Sequence, residues 1–356
     1  MSEPNPKIEA LERWIKDHET LPEQGSEGWY KGRKFRIGGS EVSTIEGTNP
    51  YSTKKDLVAS HLGLSSFVGN LATRWGKVME DITVSVLETL FNCSIHVPGS
   101  IPHHEVKVHA NSPDGITYIK AWDALVLIEI KNPSGRVPGR VVPKHYRSQI
   151  KSGLDTIPIC DFAIFADMMQ RKCSIDDLRI NTDYDTDFHN ATRDRVRYDP
   201  IMLTMVGIYS TEMCYDDFHD SQDFGESDYE EMEELFQYID EKKMGVHYGK
   251  IHICNGASPT PRPYDWLRDF DEYCQANNYA KVGYLPLKTF RLSLIPVYRE
   301  PNYIAGLRQD MEDVVDVIKK LDGMEPEMQK FHLDAIYSSD NDRDIDDRVR
   351  RRKKRM

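Results

Sequence analysis

No run in the 356 residues approaches the ~20 consecutive apolar positions that a membrane-spanning helix needs, so no membrane partner is expected. Cysteine is scarce: Cys93, Cys160, Cys173, Cys214, Cys254 and Cys274 are scattered, with no C-x-x-C pair. That pattern excludes a disulfide-stapled scaffold and a four-cysteine iron–sulfur site, and it implies reduced structural thiols in an intracellular protein. Met1 to Ala10 is polar and acidic, without the apolar core of a secretory signal, so export is not expected. No internal repeat is visible. Positive charge is in deficit, with 46 Lys and Arg against 58 Asp and Glu and a net charge of −12. A uniformly basic nucleic-acid binder is therefore excluded, because phosphate neutralisation dominates non-specific affinity.

The charge that is present is unevenly spread. Basic residues are frequent from Arg13 to Lys77 (Lys31, Arg33, Lys34, Arg36, Lys54, Lys55, Arg74, Lys77), and Arg136, Arg140, Lys144 and Arg147 follow later. The acidity concentrates in Asp176 to Asp199 and Asp216 to Glu241. This distribution implies a basic cleft on a chain whose other surface is acidic, which discourages non-productive contacts with a polyanion.

The strongest chemical signal lies in Ser112-Pro113-Asp114 and, further on, Ile128-Glu129-Ile130-Lys131. Ala121 to Lys131 reads as a strand, with Ala124, Val126, Ile128 and Ile130 on one apolar face and Glu129 and Lys131 on the other. Residues two apart lie about 6–7 Å apart on one face, so a carboxylate able to grip a cation sits beside an ammonium able to reach a phosphate. The run Ala124 to Ile128 is almost unbroken in its apolarity, so the strand is covered on both faces, and a charge buried there needs a metal or an ion-pair partner. Fifteen residues separate Asp114 from Glu129, which predicts an extended turn between their strands. Upstream, Ala72 to Phe91 predicts a helix with Trp75, Met79, Ile82, Val86 and Leu90 on one stripe and Glu80 at its edge. Gly76, costly inside a helix, suggests close approach of another backbone or of DNA.

In order, the chain carries Trp29-x-x-x-Arg33, Ile37-Gly38-Gly39-Ser40-Glu41-Val42, Asn49-Pro50-Tyr51, Trp75-Gly76-x-x-x-Glu80, Ser112-Pro113-Asp114-Gly115, Glu129-Ile130-Lys131-Asn132-Pro133 and Tyr146-x-x-Gln149-Ile150. This series resembles the PD-(D/E)xK nuclease superfamily, and specifically its λ exonuclease and YqaJ-type viral recombinase family. The motifs cover about residues 25 to 170. A looser likeness to exonucleases of large cytoplasmic DNA viruses includes Val206 to Ser210, Asp223-Phe224-Gly225 and Val282 to Pro296. The resemblance implies an α/β, restriction-endonuclease-like core with a central mixed sheet flanked by helices. It implies catalytic roles for Glu80, Asp114, Glu129, Lys131 and Gln149, and one or two Mg2+ ions, replaceable by Mn2+, on Asp114, Glu129, the Ile130 carbonyl and Glu80. Arg33 and Ser40 match the spacing of the pair that holds a 5′-phosphate, with Arg36, Tyr146, Arg136 and Arg140 as further DNA contacts.

The expected organisation is an N-terminal helical extension over 1–24, a nuclease core over 25–175, its C-terminal part with acidic insertions over 176–335, and a disordered charged tail over 336–356. Within it, helices are expected at Ile8 to His18, from Thr53 to before Gly63 behind a Thr53–Asp56 capping box, at Lys144 to Ile157 and at Tyr303 to Leu321. Ser40 is expected to N-cap a helix and so to suit a phosphate. Strands are expected in Ser94 to Val108, Thr117 to Lys131, Phe162 to Ala166 and Phe290 to Tyr298, with loops over Asn132 to Pro143 and Asn181 to Asp199.

The implied activity is metal-dependent 5′→3′ hydrolysis of DNA from 5′-phosphorylated duplex ends, in viral recombination, replication or repair. The alternatives are a structure-specific or restriction-like endonuclease, and a non-catalytic DNA-binding module on a nuclease fold. Possible partners are double-stranded DNA ends, a single-strand annealing protein and further copies of the chain. The host cytoplasm or viral replication site is the expected location, and the basic run Arg348 to Arg355 would admit the protein to the nucleus or hold DNA loosely.

Overall fold

The computed structural model describes residues 5–22, 26–65, 71–134, 136–173, 202–211, 246–254 and 263–338. Helix α1 (Pro6–His18) starts where the Asn5 side chain accepts the Lys7 amide at 2.8 Å and proline occupies the first turn. Helix α2 (Glu27–Arg33) is capped by Ser26 and leads to the two-residue strand β1 (Ile37–Gly38). The chain then makes a 3-10 turn, Gly39–Glu41, and the single turn α3 (Val42–Ile45). Ser40 is thus inside the 3-10 turn and caps no helix. Glu41 closes this turn by accepting the Gly38 amide at 2.6 Å, which leaves the Ser40 hydroxyl exposed. Helix α4 (Lys54–His61) opens on the expected capping box, with reciprocal 3.1 Å bonds between Thr53 and Asp56, and Gly63 follows it at φ +73°.

Helix α5 (Leu71–Phe91) buries Trp75, Met79, Ile82 and Val86 as expected, joined by Val78 and Leu87. Leu90 departs from the pattern and is exposed, because at this last turn Phe91 instead packs edge-on to Trp122. No atom of another element lies within 4 Å of where a Gly76 side chain would begin, so close approach within the chain does not explain this glycine.

A small sheet follows, in the order β1, β3 (His109–Asn111), β2 (Ile101–Pro102), so of the expected Ser94–Val108 strand region only the two residues of β2 form a strand, and β3 begins just past its end. The main sheet has six strands. β4 (Gly115–Ile119) and β5 (Ala124–Lys131) form a hairpin, joined through the 3-10 turn Lys120–Trp122 and Asp123 at φ +44°. The turn between Asp114 and Glu129 is therefore compact rather than extended. Gly115 pairs with Ile128, so Asp114 and Glu129 stand one rung beyond, and the fifteen-residue gap is taken up by paired strand. β5 starts at Ala124 rather than Ala121 because residues 120–122 coil into that turn.

Helix α6 (Lys144–Thr156) and strands β6 (Phe162–Lys172), β7 (Met202–Ser210), β8 (Val246–Cys254) and β9 (Ala280–Val297) complete the core, with helix α7 (Pro263–Asn277) between the last two. β6 and β9 run well past their expected ends, since their mutual pairing extends to Lys172 opposite Leu287. The order is β4-β5-β6-β9-β7-β8; β5 and β6 are parallel and the other pairs antiparallel, a mixed sheet as expected. Val126, Ile128 and Ile130 pack with Leu87 of α5 on one face, and Leu127 packs with Ile150 and Leu154 of α6 on the other. β5 is covered on both sides, which forces its two charged residues to find partners. The expected helix Tyr303 to Leu321 breaks at Leu307 into α8 (Tyr303–Gly306) and α9 (Arg308–Leu321), and α10 (Pro326–Ile336) follows. The acidic stretches, Asp223-Phe224-Gly225, the expected 181–199 loop and the tail from residue 339 lie outside the described residues. Among the described residues no helix is long and apolar enough to cross a membrane.

Candidate active site

Where β5 ends, its two charged residues meet the carboxylate from the head of β4. Lys131 Nζ lies 2.5 Å from Glu129 Oε1, 2.9 Å from the Ile130 carbonyl and 3.7 Å from Asp114 Oδ2. Asp114 is fixed by the Ile130 amide, which donates to its Oδ2 at 2.6 Å. Three oxygens from Asp114, Glu129 and Ile130 thus surround one cationic nitrogen. Hard oxygen donors of this kind suit a divalent ion such as Mg2+, and the ammonium marks a position where positive charge is stable. Among the described residues no three His, Cys, Asp or Glu side chains are grouped so as to hold a metal ion by themselves.

Glu80 approaches from α5. The Thr83 hydroxyl, one turn on, donates to Asn132 Oδ1 at 2.8 Å and so ties the helix to the end of β5. The Glu80 carboxyl is pushed up to about 8, first by burial and then by the Asp114 charge, against the pull of Lys131. Burial and Asp114 also raise Glu129. Burial opposes the charge on Lys131, but Glu129 and Asp114 outweigh it and hold the ammonium above the ordinary lysine value. Three carboxyls thus gather around a single lysine, and two of them are raised accordingly.

A cavity of about 400 Å³ opens over the nest, lined by Glu80, Asp114 and Lys131 and, across from them, by Arg33 and Ser40. Arg33 is held on three sides. Its guanidinium lies 4.3 Å from the Trp29 ring centre and 3.7 Å from Glu41 Oε1, and a Cβ on Gly38 would come within 2.3 Å of it, so a larger residue at 38 would push the guanidinium aside. Glu41 is also bonded at 3.0 Å to His61, and the Trp29 indole donates to Ser112 Oγ at 3.2 Å, two residues before Asp114. Tyr146 lines the cavity too, with its ring 5.4 Å from Lys131 Nζ and stacked on Phe165 at 5.6 Å.

Seven expected site residues therefore share one cavity: Arg33, Ser40, Glu80, Asp114, Lys131, Tyr146 and Gln149. Glu129 lies beneath it, 2% exposed, and Ile130 supplies backbone groups only. The side chain of Gln149 lines the wall without a hydrogen bond to Lys131. Arg36 and Arg140 are not in the lining. Arg136 sits beside it, where both guanidinium nitrogens grip the buried Asp167 and the charge lies 5.9 Å from the Tyr146 ring. Four of the basic residues expected to form a cleft are paired with acids. Lys31 pairs with Glu27 of its own helix, and Lys34, Lys54 and Lys55 pair with Asp322, Asp310 and Asp334, because the C-terminal helices bring acids to that face. Sequence reasoning gave no role to Glu41, Asp167 or His145. Glu41 directly follows Ser40, a usable signal, whereas Asp167 sits one residue past the expected end of its strand.

The carboxylates and the lysine thus gather at the end of β5, the strand next to the edge of the mixed sheet. Residues 28–156 match the YqaJ-like viral recombinase domain, which bears out the resemblance carried by the motifs. A protein of African swine fever virus (strain Badajoz 1971 Vero-adapted) is 27% identical over 324 residues, covering 83% of this chain and 85% of the relative. Its counterpart in the African swine fever virus isolate Tick/South Africa/Pretoriuskop Pr4/1996 is 28% identical over 313 residues, covering 80% and 82%. Among solved structures, an alkaline exonuclease from Laribacter hongkongensis is similar at 18% identity and a TM-score of 0.33, over 40% of this chain and 74% of that one.

Proposed function

We propose that the chain is a metal-dependent 5′→3′ DNA exonuclease acting on 5′-phosphorylated duplex ends, in viral recombination, replication or repair. The observation that carries this reading is that one cavity contains both an arginine–serine seat for an anion and the carboxylate–lysine nest. An enzyme cutting in mid-strand has no need of the first. Arg33 and Ser40 hold the terminal phosphate, and the next linkage then falls towards the nest, which sets the direction of digestion. Asp114, Glu129 and the Ile130 carbonyl would hold one or two Mg2+ or Mn2+ ions, with Glu80 joining directly or through water. When bound, such an ion supplies an activated water and neutralises charge on the scissile phosphate. Lys131, beside those oxygens, would steady the transition-state charge. Gln149 orients from the wall, and Tyr146 and Arg136 bound the DNA channel, with Arg36 and Arg140 as outer phosphate contacts. A single-strand annealing protein and further copies of the chain are its proposed partners, at the viral replication site of the infected cell.

End-labelled linear and covalently closed duplexes, with and without Mg2+, test the reading. Only linear DNA should be degraded, and 5′-phosphorylated ends faster than 5′-hydroxyl ends. A charge-assisted contact of about 1.5–3 kcal/mol corresponds to roughly a 10- to 100-fold preference, which Arg33→Ala should largely remove. Attack on closed circles, or equal wild-type rates on both kinds of end, would refute it.

A further inference from the structure

The phosphate seat and the nest account for the anionic parts of a nucleotide but not for its base. Three neighbouring rings lead out of the same cavity. Tyr146 rests on Phe165 of the sheet, His145 lies 4.1 Å from Tyr146, and Tyr51 meets His145 edge to face at 5.7 Å and 90°. Tyr51 and His145 both line the cavity with Arg33, Ser40 and Lys131. Tyr51 is 46% exposed although it is a large aromatic residue beside a deep site. Its backbone is firmly placed all the same. The Tyr51 amide donates to Asn49 Oδ1 at 2.9 Å, and Asn49 Nδ2 donates to Thr44 Oγ1 at 2.8 Å on α3, the turn that follows the Ser40 segment. The rigid turn therefore presents an aromatic ring at the cavity lip, next to the anion seat. A perpendicular contact covers at most one face of a ring, so Tyr51 keeps a π-face open.

We propose that Tyr51, steadied by His145, is a stacking seat for the unpaired nucleobase of the 5′-terminal nucleotide, an inference that rests on the end-anchored reading above. Every base has a π-face, so such a seat tolerates any sequence. A base still paired and stacked in the duplex cannot offer that face, so the terminal nucleotide leaves the helix before its linkage reaches the nest. Stacking on one aromatic side chain typically changes affinity roughly 5- to 100-fold.

The test uses 5′-phosphorylated duplexes with one unpaired terminal nucleotide, either base-bearing or abasic. Affinities are measured in chelator and cleavage rates in Mg2+. The wild-type protein should bind the base-bearing end roughly 5- to 100-fold more tightly than the abasic end. Tyr51→Ala should bind both equally, at the wild-type level for the abasic end, and Tyr51→Phe should restore the preference. A Tyr51→Ala protein that melts like wild type yet keeps the wild-type ratio overturns the seat. Base-dependent binding without cleavage of any end would leave the seat standing and remove the exonuclease reading. End-dependent cleavage with no response to the missing base would do the reverse.

Discussion

Replacing Glu80 by glutamine should make the metal-free protein more stable at alkaline pH while impairing its activity. The Glu80 carboxyl is raised from near 4.5 to about 8, chiefly by burial and then by Asp114. A folded-state value above the unfolded one means that the folded protein binds more protons between those two values, so stability falls as pH rises through that window. At about 1.4 kcal/mol per pH unit the ceiling on the penalty is about 5 kcal/mol. The carboxyl faces a cavity partly open to solvent, and screening reduces the expected figure to about 2–3 kcal/mol. Glutamine keeps the shape and removes the charge. Urea denaturation in chelator should therefore show Glu80→Gln about 2–3 kcal/mol more stable than wild type at pH 8.5, and nearly equal to it at pH 4.5. Adding Mg2+ should narrow the gap at pH 8.5 by stabilising the wild-type protein more. A gap that is absent at pH 8.5, or the same size at both pH values, would refute the electrostatic account of the nest.

Lys131→Met leaves Glu129 and Asp114 without the ammonium they surround, and breaking a buried pair from one side typically costs about 3–5 kcal/mol. Melting in chelator should show that loss at pH 8, Mg2+ should recover much of it, and cleavage should remain abolished. His109, fully buried and bonded to the Ile37 carbonyl at 2.8 Å, is held down to about 4, chiefly by burial. Its stabilising contribution is complete above its unfolded value near 6.5 and is lost as pH falls towards 4. About 3 kcal/mol should disappear across that window in denaturant titrations, and His109→Gln should flatten this part of the profile.

How far each feature could be read from sequence follows from the distance over which its determinants act. Glu129 and Lys131 share a face because strand periodicity is two, and Ala124, Val126, Ile128 and Ile130 announced that periodicity. The place of Asp114 opposite Glu129 needed the hairpin register, which depends on how much of residues 115–128 is paired, and the spacing alone pointed wrongly to a long turn. Arg33 and Ser40 were legible as a spacing. The reason Ser40 caps nothing was not, since Glu41 takes the Gly38 amide and tightens the turn into 3-10 form. The surface charges were least legible. Lys34, Lys54 and Lys55 look free to meet DNA until α9, α10 and the residues around them bring in Asp310, Asp322 and Asp334 from the far end of the chain.

That neutralisation sharpens the functional reading. Those lysines are paired, and the lysine and arginine groups in the cavity lining are Lys131 and Arg33, on a molecule of net charge −12. Lys131 is already engaged by Glu129 and Asp114, so it offers an approaching diester little free positive charge. Arg33 has its own partner in Glu41, but at 3.7 Å that contact is looser than a hydrogen bond and leaves the guanidinium able to take a phosphate. On the proposed reading, recognition and cleavage respond to different requirements, a terminal phosphate at Arg33 and a divalent cation at the nest. A duplex interior, on that reading, supplies only diesters and lacks the terminal phosphate that Arg33 would anchor, so a bias towards ends is the outcome expected of the linear-against-closed-circle comparison.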